Sequence, residues 1–194
     1  MKKVLLTILF GALIAGSICA DTKKQAAATT VQNNSTSKIA VVYFSITGNT
    51  ERMAKKAASA FGADIFKIEP VHKYTSSDLN WRNKKSLTTI ENNDDTARPA
   101  IANKIDLSSY DTVILCYPIW YTKAPKIIYT FVESQNWNGK KLVTLCTSGS
   151  SGLGNTGITL SKLAPGVVYK GGKDFSRGTA EEIKKYVEGI LSNE

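Results

Sequence analysis

The chain has 194 residues, a hydrophobic share of 42% and a formal net charge of +9. That length suits one domain with a sizeable core, and the composition is close to globular. No internal repeat is present and low-complexity sequence is confined to the N-terminal region, which excludes a solenoid.

Residues 1–20 read as a signal peptide. Met1-Lys2-Lys3 is a basic start, Val4 to Ile18 is an apolar run of h-region length, and Ser17-Ile18-Cys19-Ala20 offers small residues for cleavage. The run is shorter than the roughly 20 residues of a spanning helix. Cys19 also raises a lipid anchor, although Ile18 is bulky for such a site. The expected location is therefore exported, with membrane anchoring as a variant. Removing residues 1–20 deletes Lys2 and Lys3, which takes the charge from +9 to +7. Residues 21–37 are small and polar and read as a flexible linker. The folded domain is expected over 38–194.

Ile39 to Phe44 is a β-rich apolar run, as in a buried strand. The loop Ser45-Ile46-Thr47-Gly48-Asn49-Thr50 follows, then a helix from Thr50 to about Phe61 that stops at Gly62. Ala63 to Ile68 is a second strand, ended by Glu69-Pro70. Residues 70–110 are the least regular, with a candidate helix over Ser77 to Ile90. Thr112 to Cys116 is a third strand, and 117–124 a loop. Pro125 is placed as the first residue of a helix ending near Gln135. A fourth strand spans Leu142 to Cys146, the loop 147–152 follows, and a helix runs from about Asn155 to Leu163. Val167 to Tyr169 is a weak last strand. Thr179, with Glu181 and Glu182 behind it, caps a final helix to about Leu191.

Apolar strands alternating with helices mean a parallel sheet covered on both faces. Ligands of such sheets bind outside the carboxyl ends of the strands, where strand order reverses. Three loops stand at those ends. In the first, Ser45, Thr47, Asn49 and Thr50 surround Gly48 and precede free helix N–H groups, a set that suits a compact phosphate. The same composition also caps helices with no ligand. Neither G-x-x-x-x-G-K-[ST] nor G-x-G-x-x-G is present, so no triphosphate, metal or dinucleotide site is implied. In the second loop, Tyr117, Trp120 and Tyr121 can stack on a flat ring or simply cover the core. In the third, Gly149 and Gly152 let the backbone approach a ligand.

These loops carry a resemblance. The chain resembles flavodoxin-like proteins whose loops read S-x-T-G-N-T, Y-P-I-W and C-T-S-G, here Ser45–Thr50, Tyr117–Trp120 and Cys146–Gly149. The resemblance spans about 38–192. It implies an α/β, doubly wound, five-stranded parallel sheet in the order 2-1-3-4-5 with helices on both faces, and non-covalent FMN. By position, Ser45, Thr47, Gly48, Asn49 and Thr50 would hold the phosphate. Pro118, Ile119, Trp120 and Tyr121 would flank the isoalloxazine, and Ser148, Gly149 and Gly152 would line its other edge. Many relatives have a second Trp where this chain has Tyr121.

The implied function is electron transfer through bound FMN, with no catalytic residue supplied by the protein. The alternatives are an FMN-dependent NAD(P)H:quinone-type oxidoreductase and a flavin-free binding module of the same fold. The implied partners are a redox protein or a small electron acceptor. The dispersed lysines lack interleaved aromatics, so no nucleic acid is expected; the charge suits an acidic redox partner or an anionic membrane surface. Cys116 and Cys146 end strands that the implied order makes neighbours, and buried reduced thiols are expected over a disulfide or redox pair. His72, the only histidine, is expected to be exposed, although it could approach the flavin as a proton donor. Tyr74 and Trp81 either overhang the site or pack.

Overall fold

The computed structural model describes residues 38–193. The signal-peptide and linker readings lie outside them. The elements alternate as β1 (Ile39–Tyr43), α1 (Asn49–Phe61), β2 (Asp64–Lys67), α2 (Leu87–Asn93), β3 (Thr112–Pro118), α3 (Lys126–Glu133), β4 (Lys141–Thr147), α4 (Thr156–Ser161), β5 (Val168–Asp174) and α5 (Ala180–Ser192). The strands form one parallel sheet in the order β2-β1-β3-β4-β5, as expected from the resemblance.

Strand alternation sorts the core into two layers. Ala40, Val42 and Phe44 pack with Val113, Leu115, Leu142 and Cys146 against α3 residues Ile127, Ile128 and Phe131. Val41 and Tyr43 pack with Ile114, Cys116, Val143 and Leu145 against α1 residues Met53, Ala54 and Ala57 and α5 residues Ile183 and Val187. Cys116 and Cys146 therefore point to opposite faces of the sheet. They are free thiols, not a disulfide, because Cys116 stands opposite Leu145 and Cys146 opposite Tyr117.

Several boundaries differ from the sequence reading. β3 runs on through Tyr117 and Pro118, because Pro118 pairs with Thr147 and the Ile119 N–H donates to the Thr147 carbonyl at 2.8 Å. Tyr117 is thus a core residue, and its hydroxyl bonds that of Thr156 at 2.9 Å. It cannot stack on a ligand in the groove. The helix expected over 77–90 is only the short α2. Asn80 and Asn83 accept from the Arg82 and Lys85 backbone N–H groups at 3.1 and 2.9 Å, which favours turns over helix. Pro125 sits at the N-cap of α3, one residue before the first helical position. β5 extends to Asp174 through Gly171 and Gly172. A Cβ on Gly172 would meet the Thr144 carbonyl oxygen at 2.4 Å, so close strand approach requires the glycine. α5 starts as expected: the Thr179 hydroxyl accepts from Glu182 N–H at 3.2 Å and Glu182 accepts from Thr179 N–H at 2.8 Å.

Candidate functional site

Strand order reverses between β1 and β3, so their following loops part and leave a crevice at the carboxyl edge. A groove of about 1940 Å³ opens there and runs on past α1 and α5. Of the twelve sequence-predicted site residues, every one except Gly48 lines it. Gly48 stands behind the lining and shapes it. Its φ is 84°, a conformation that favours glycine, and its N–H donates to the Ser45 hydroxyl at 3.2 Å.

The first loop presents donors outward. Ser45 uses its oxygen to accept from Gly48, which leaves its O–H to donate. Thr47 and Asn49 are exposed. Arg52 donates to the Asn49 side-chain oxygen, so the Asn49 amide nitrogen is left to donate elsewhere. No side-chain cap closes the first turn of α1. Thr50 behaves differently: it is 1% exposed, and its hydroxyl bonds that of Thr147 at 2.8 Å. Its side chain joins two loops at the floor of the groove.

The second loop is a tight hairpin. Trp120 N–H donates to the Lys123 carbonyl at 2.9 Å and Lys123 N–H returns a bond at 2.8 Å. Tyr121 and Thr122 at its tip have φ of 50° and 66°, as a two-residue turn of type I′ demands. Neither is glycine, so the tip is strained. Tyr121 is tethered by its hydroxyl to Thr89 at 2.6 Å and Thr88 at 3.3 Å. Trp120 packs edge-on against Phe44 and Tyr74, both with centroids 5.7 Å away, and stays partly exposed to the groove.

Tyr74 is therefore packing and not an overhang. Its hydroxyl donates to both Glu91 oxygens at 3.0 and 2.9 Å. Burial, then the Glu91 charge, pushes the Tyr74 phenol far up; burial raises Glu91 as well. His72 lies off the groove, bonded to Asp78 at 3.1 Å. Trp81, by contrast, lines the groove and is 67% exposed.

The third loop is organised by a residue the sequence reading missed. Asp174, at the end of β5, accepts from the hydroxyls of Ser148 and Ser176, each at 2.5 Å. Ser148 in turn accepts from the Gly152 N–H at 2.9 Å, and the Ser148 N–H donates to the Ser176 hydroxyl at 2.8 Å. The Ser148 and Gly152 donors are thus spent inside the loop, and exposed Gly149 and Ser150 form its groove side. Burial works to raise the Asp174 pKa, but the hydrogen bonds from Ser148 and Ser176 outweigh it and hold the carboxyl below its ordinary value. Asp174 escaped notice because Gly171-Gly172 disguised its strand.

The groove thus has hydroxyl and amide donors at one end and aromatic and backbone walls at the other. Its donor chemistry fits a phosphate monoester joined to a flat ring. Among the described residues, no group of three or more His, Cys, Asp and Glu side chains could hold a metal ion, and no helix is long and apolar enough to cross a membrane.

A family model for flavodoxin matches residues 38–190. Among solved structures, a candidate flavoprotein from Bacteroides eggerthii DSM 20697 is 42% identical, with 81% of this chain and 99% of that chain covered and a TM-score of 0.77. Another, from Bacteroides uniformis ATCC 8492, is 38% identical over 78% of this chain and 98% of its own, at a TM-score of 0.74. A flavoprotein in complex with FMN from Lactobacillus acidophilus NCFM shares the fold at 20% identity and a TM-score of 0.59, over 78% of this chain and 99% of that chain. No curated protein matches the chain. With the strand order, the crevice and the matched span in agreement, the chain belongs to the flavodoxin family.

Proposed function

We propose that the protein binds FMN non-covalently in this groove and works as an electron carrier. One observation carries the reading: outward-facing donors at the start of α1 share a crevice with the partly exposed rings of Trp120 and Tyr121. The FMN held by the Lactobacillus acidophilus flavoprotein of the same fold supports it.

In this reading Ser45, Thr47 and Asn49 hold the phosphate together with the Thr50 backbone. Helix α1 adds its positive N-terminal dipole. Pro118, Ile119, Trp120 and Tyr121 flank the ring on one side, with Gly149 at the other. FMN, when bound, supplies the redox chemistry. The protein's part is to bind it, fix its orientation and limit water at its edge. No side chain serves as nucleophile or general base.

The test is a titration of the full chain with FMN, followed by flavin fluorescence. Saturable quenching at one FMN per chain is expected, and its absence would remove the proposal. Rapid steady-state oxidation of NAD(P)H with a quinone by the loaded protein would replace the carrier with an oxidoreductase.

A further inference from the structure

We infer that the α1–α5 lip of the groove is the docking surface for an acidic electron-transfer protein, an inference that rests on the carrier reading above. The groove continues past the first loop between α1 and α5 and along the end of β5. Along that part, five exposed basic side chains line it: Arg52, Lys56, Lys173, Arg177 and Lys185.

Among the described residues, two carboxylates line the same groove, and each accepts hydrogen bonds that hold its orientation. Asp174 accepts from Ser148 and Ser176. Glu182 accepts from the Thr179 N–H in the capping box. The lip is therefore positive by count, with five basic side chains to two carboxylates. Its position is held: Lys56 donates to the Gly178 carbonyl at 2.8 Å, which ties α1 to the turn before α5. Lys173 lies over the rings of Phe175 and Tyr186, at 5.4 and 5.6 Å from their centroids.

The groove also carries Leu79 and the exposed Trp81, whose ring lies 4.9 Å from the Arg82 guanidinium. An aromatic beside a ring of one charge is how transient complexes are built, with a few anchors for affinity and the charges for steering. Steering by complementary charge raises association from about 10⁵–10⁶ to as much as about 10⁸–10⁹ M⁻¹s⁻¹ at low salt. A carrier that must find its partner and leave again gains most from that term. The occupant that matches this lip is a protein with an acidic face around its own redox centre.

The test uses the FMN-loaded full chain and two probes of opposite charge, a plant-type [2Fe–2S] ferredoxin (acidic) and cytochrome c (basic). Binding is titrated by calorimetry at low salt and again at about 0.5 M salt, where charges are screened within a few ångströms. The ferredoxin is expected to bind at low salt and to weaken at least tenfold at high salt, while cytochrome c does not bind. The pair Arg177→Glu with Lys185→Glu is expected to weaken ferredoxin at least tenfold. The pair Lys104→Glu with Lys162→Glu changes net charge equally at exposed positions off the groove, and is expected to have little effect.

Equal losses from both pairs would reduce the effect to net charge and overturn the inference. So would cytochrome c binding, or no ferredoxin binding at low salt. Salt-sensitive binding to phosphatidylserine vesicles in preference to ferredoxin would assign the lip to a membrane surface instead. Parallel titrations without FMN separate the two proposals. A chain that takes no FMN but still binds ferredoxin through Arg177 and Lys185 loses the carrier reading and keeps the surface.

Discussion

Thr50 and Thr147 join hydroxyl to hydroxyl at 2.8 Å, both buried, and so lock the start of α1 to the end of β4. Two of the three groove loops thereby share one hydrogen bond. By sequence Thr50 is a phosphate ligand through any of its groups. In the fold its hydroxyl bonds that of Thr147, so the side chain has a structural partner besides its place in the groove lining.

Thr50→Val removes that bond and leaves the Thr147 hydroxyl buried without its partner. Stability should fall by about 1–2 kcal/mol in urea unfolding. Thr50→Ser should recover most of the loss. FMN affinity should suffer more from Thr47→Ala, at unchanged stability, than from Thr50→Val. The reverse order would return Thr50's side chain to the ligand.

Thr122 holds a β-branched side chain at φ 66°. Left-handed backbone costs such a residue about 1–2 kcal/mol, and part of this returns as chain entropy when glycine replaces it. Thr122→Gly should therefore raise the melting temperature by about 2 °C. A lowered melting temperature would mean the tip is not strained as its φ implies.

Tyr121 reaches from that tip to Thr89 and Thr88 on α2. Tyr121→Phe keeps the ring and loses the tether, at a cost of about 1 kcal/mol. FMN affinity should drop several-fold because the ring is no longer held. Tyr121→Trp should stack as well but forfeit the tether. If Tyr121→Phe binds FMN as tightly as the parent, the tether has no part in the site.

Asp174 titrates below its ordinary value of 3.8 because Ser148 and Ser176 donate to its charged form. A lowered carboxyl contributes stability that is present above the unfolded pKa and is lost as pH falls through the folded one. The third loop should accordingly loosen only below about pH 4, and FMN affinity should fall with it. Asp174→Asn should weaken FMN binding at neutral pH and flatten the acid dependence. Quenching titrations between pH 3 and 7 on both proteins read this directly.

Cys146 is pushed up to about 12 by burial, and Cys116 higher still for the same reason. Both should stay unmodified by iodoacetamide at pH 8 in the folded protein and react fully in denaturant, as read by peptide mass mapping. Labelling of either in the native state would contradict their placement in the two core layers.

Much of the fold and of the groove is legible in the sequence itself. β1, β3 and β4 are continuous apolar runs, because a central parallel strand is buried on both faces. Their loops therefore had to end at one edge of the sheet, and Ser45, Thr47, Asn49 and Trp120 stood out there by composition. The less legible parts have physical causes. β5 contains Gly171-Gly172, which weakens any strand signal, yet Gly172 is demanded by the nearby Thr144 carbonyl. The α2 region mixes helical spacing with Asn80 and Asn83, whose side chains prefer turns. Tyr117 looks like a loop aromatic until Pro118 is seen to pair with Thr147.

The alternation of strands and helices determines that the loops after β1, β3 and β4 share one edge of the sheet and which end of α1 faces it, whereas the order that parts those loops into a crevice is implied only by the family resemblance. Which polar groups remain available there is a different matter. Thr50 bonds Thr147, 97 residues away, and Ser148 bonds Asp174, 26 residues away. Asp174 and the basic lip enter the site only when β5 and α5 are laid beside β4 and α1. Donor and acceptor groups bond to whatever lies within about 3 Å, and only tertiary packing decides who those neighbours are.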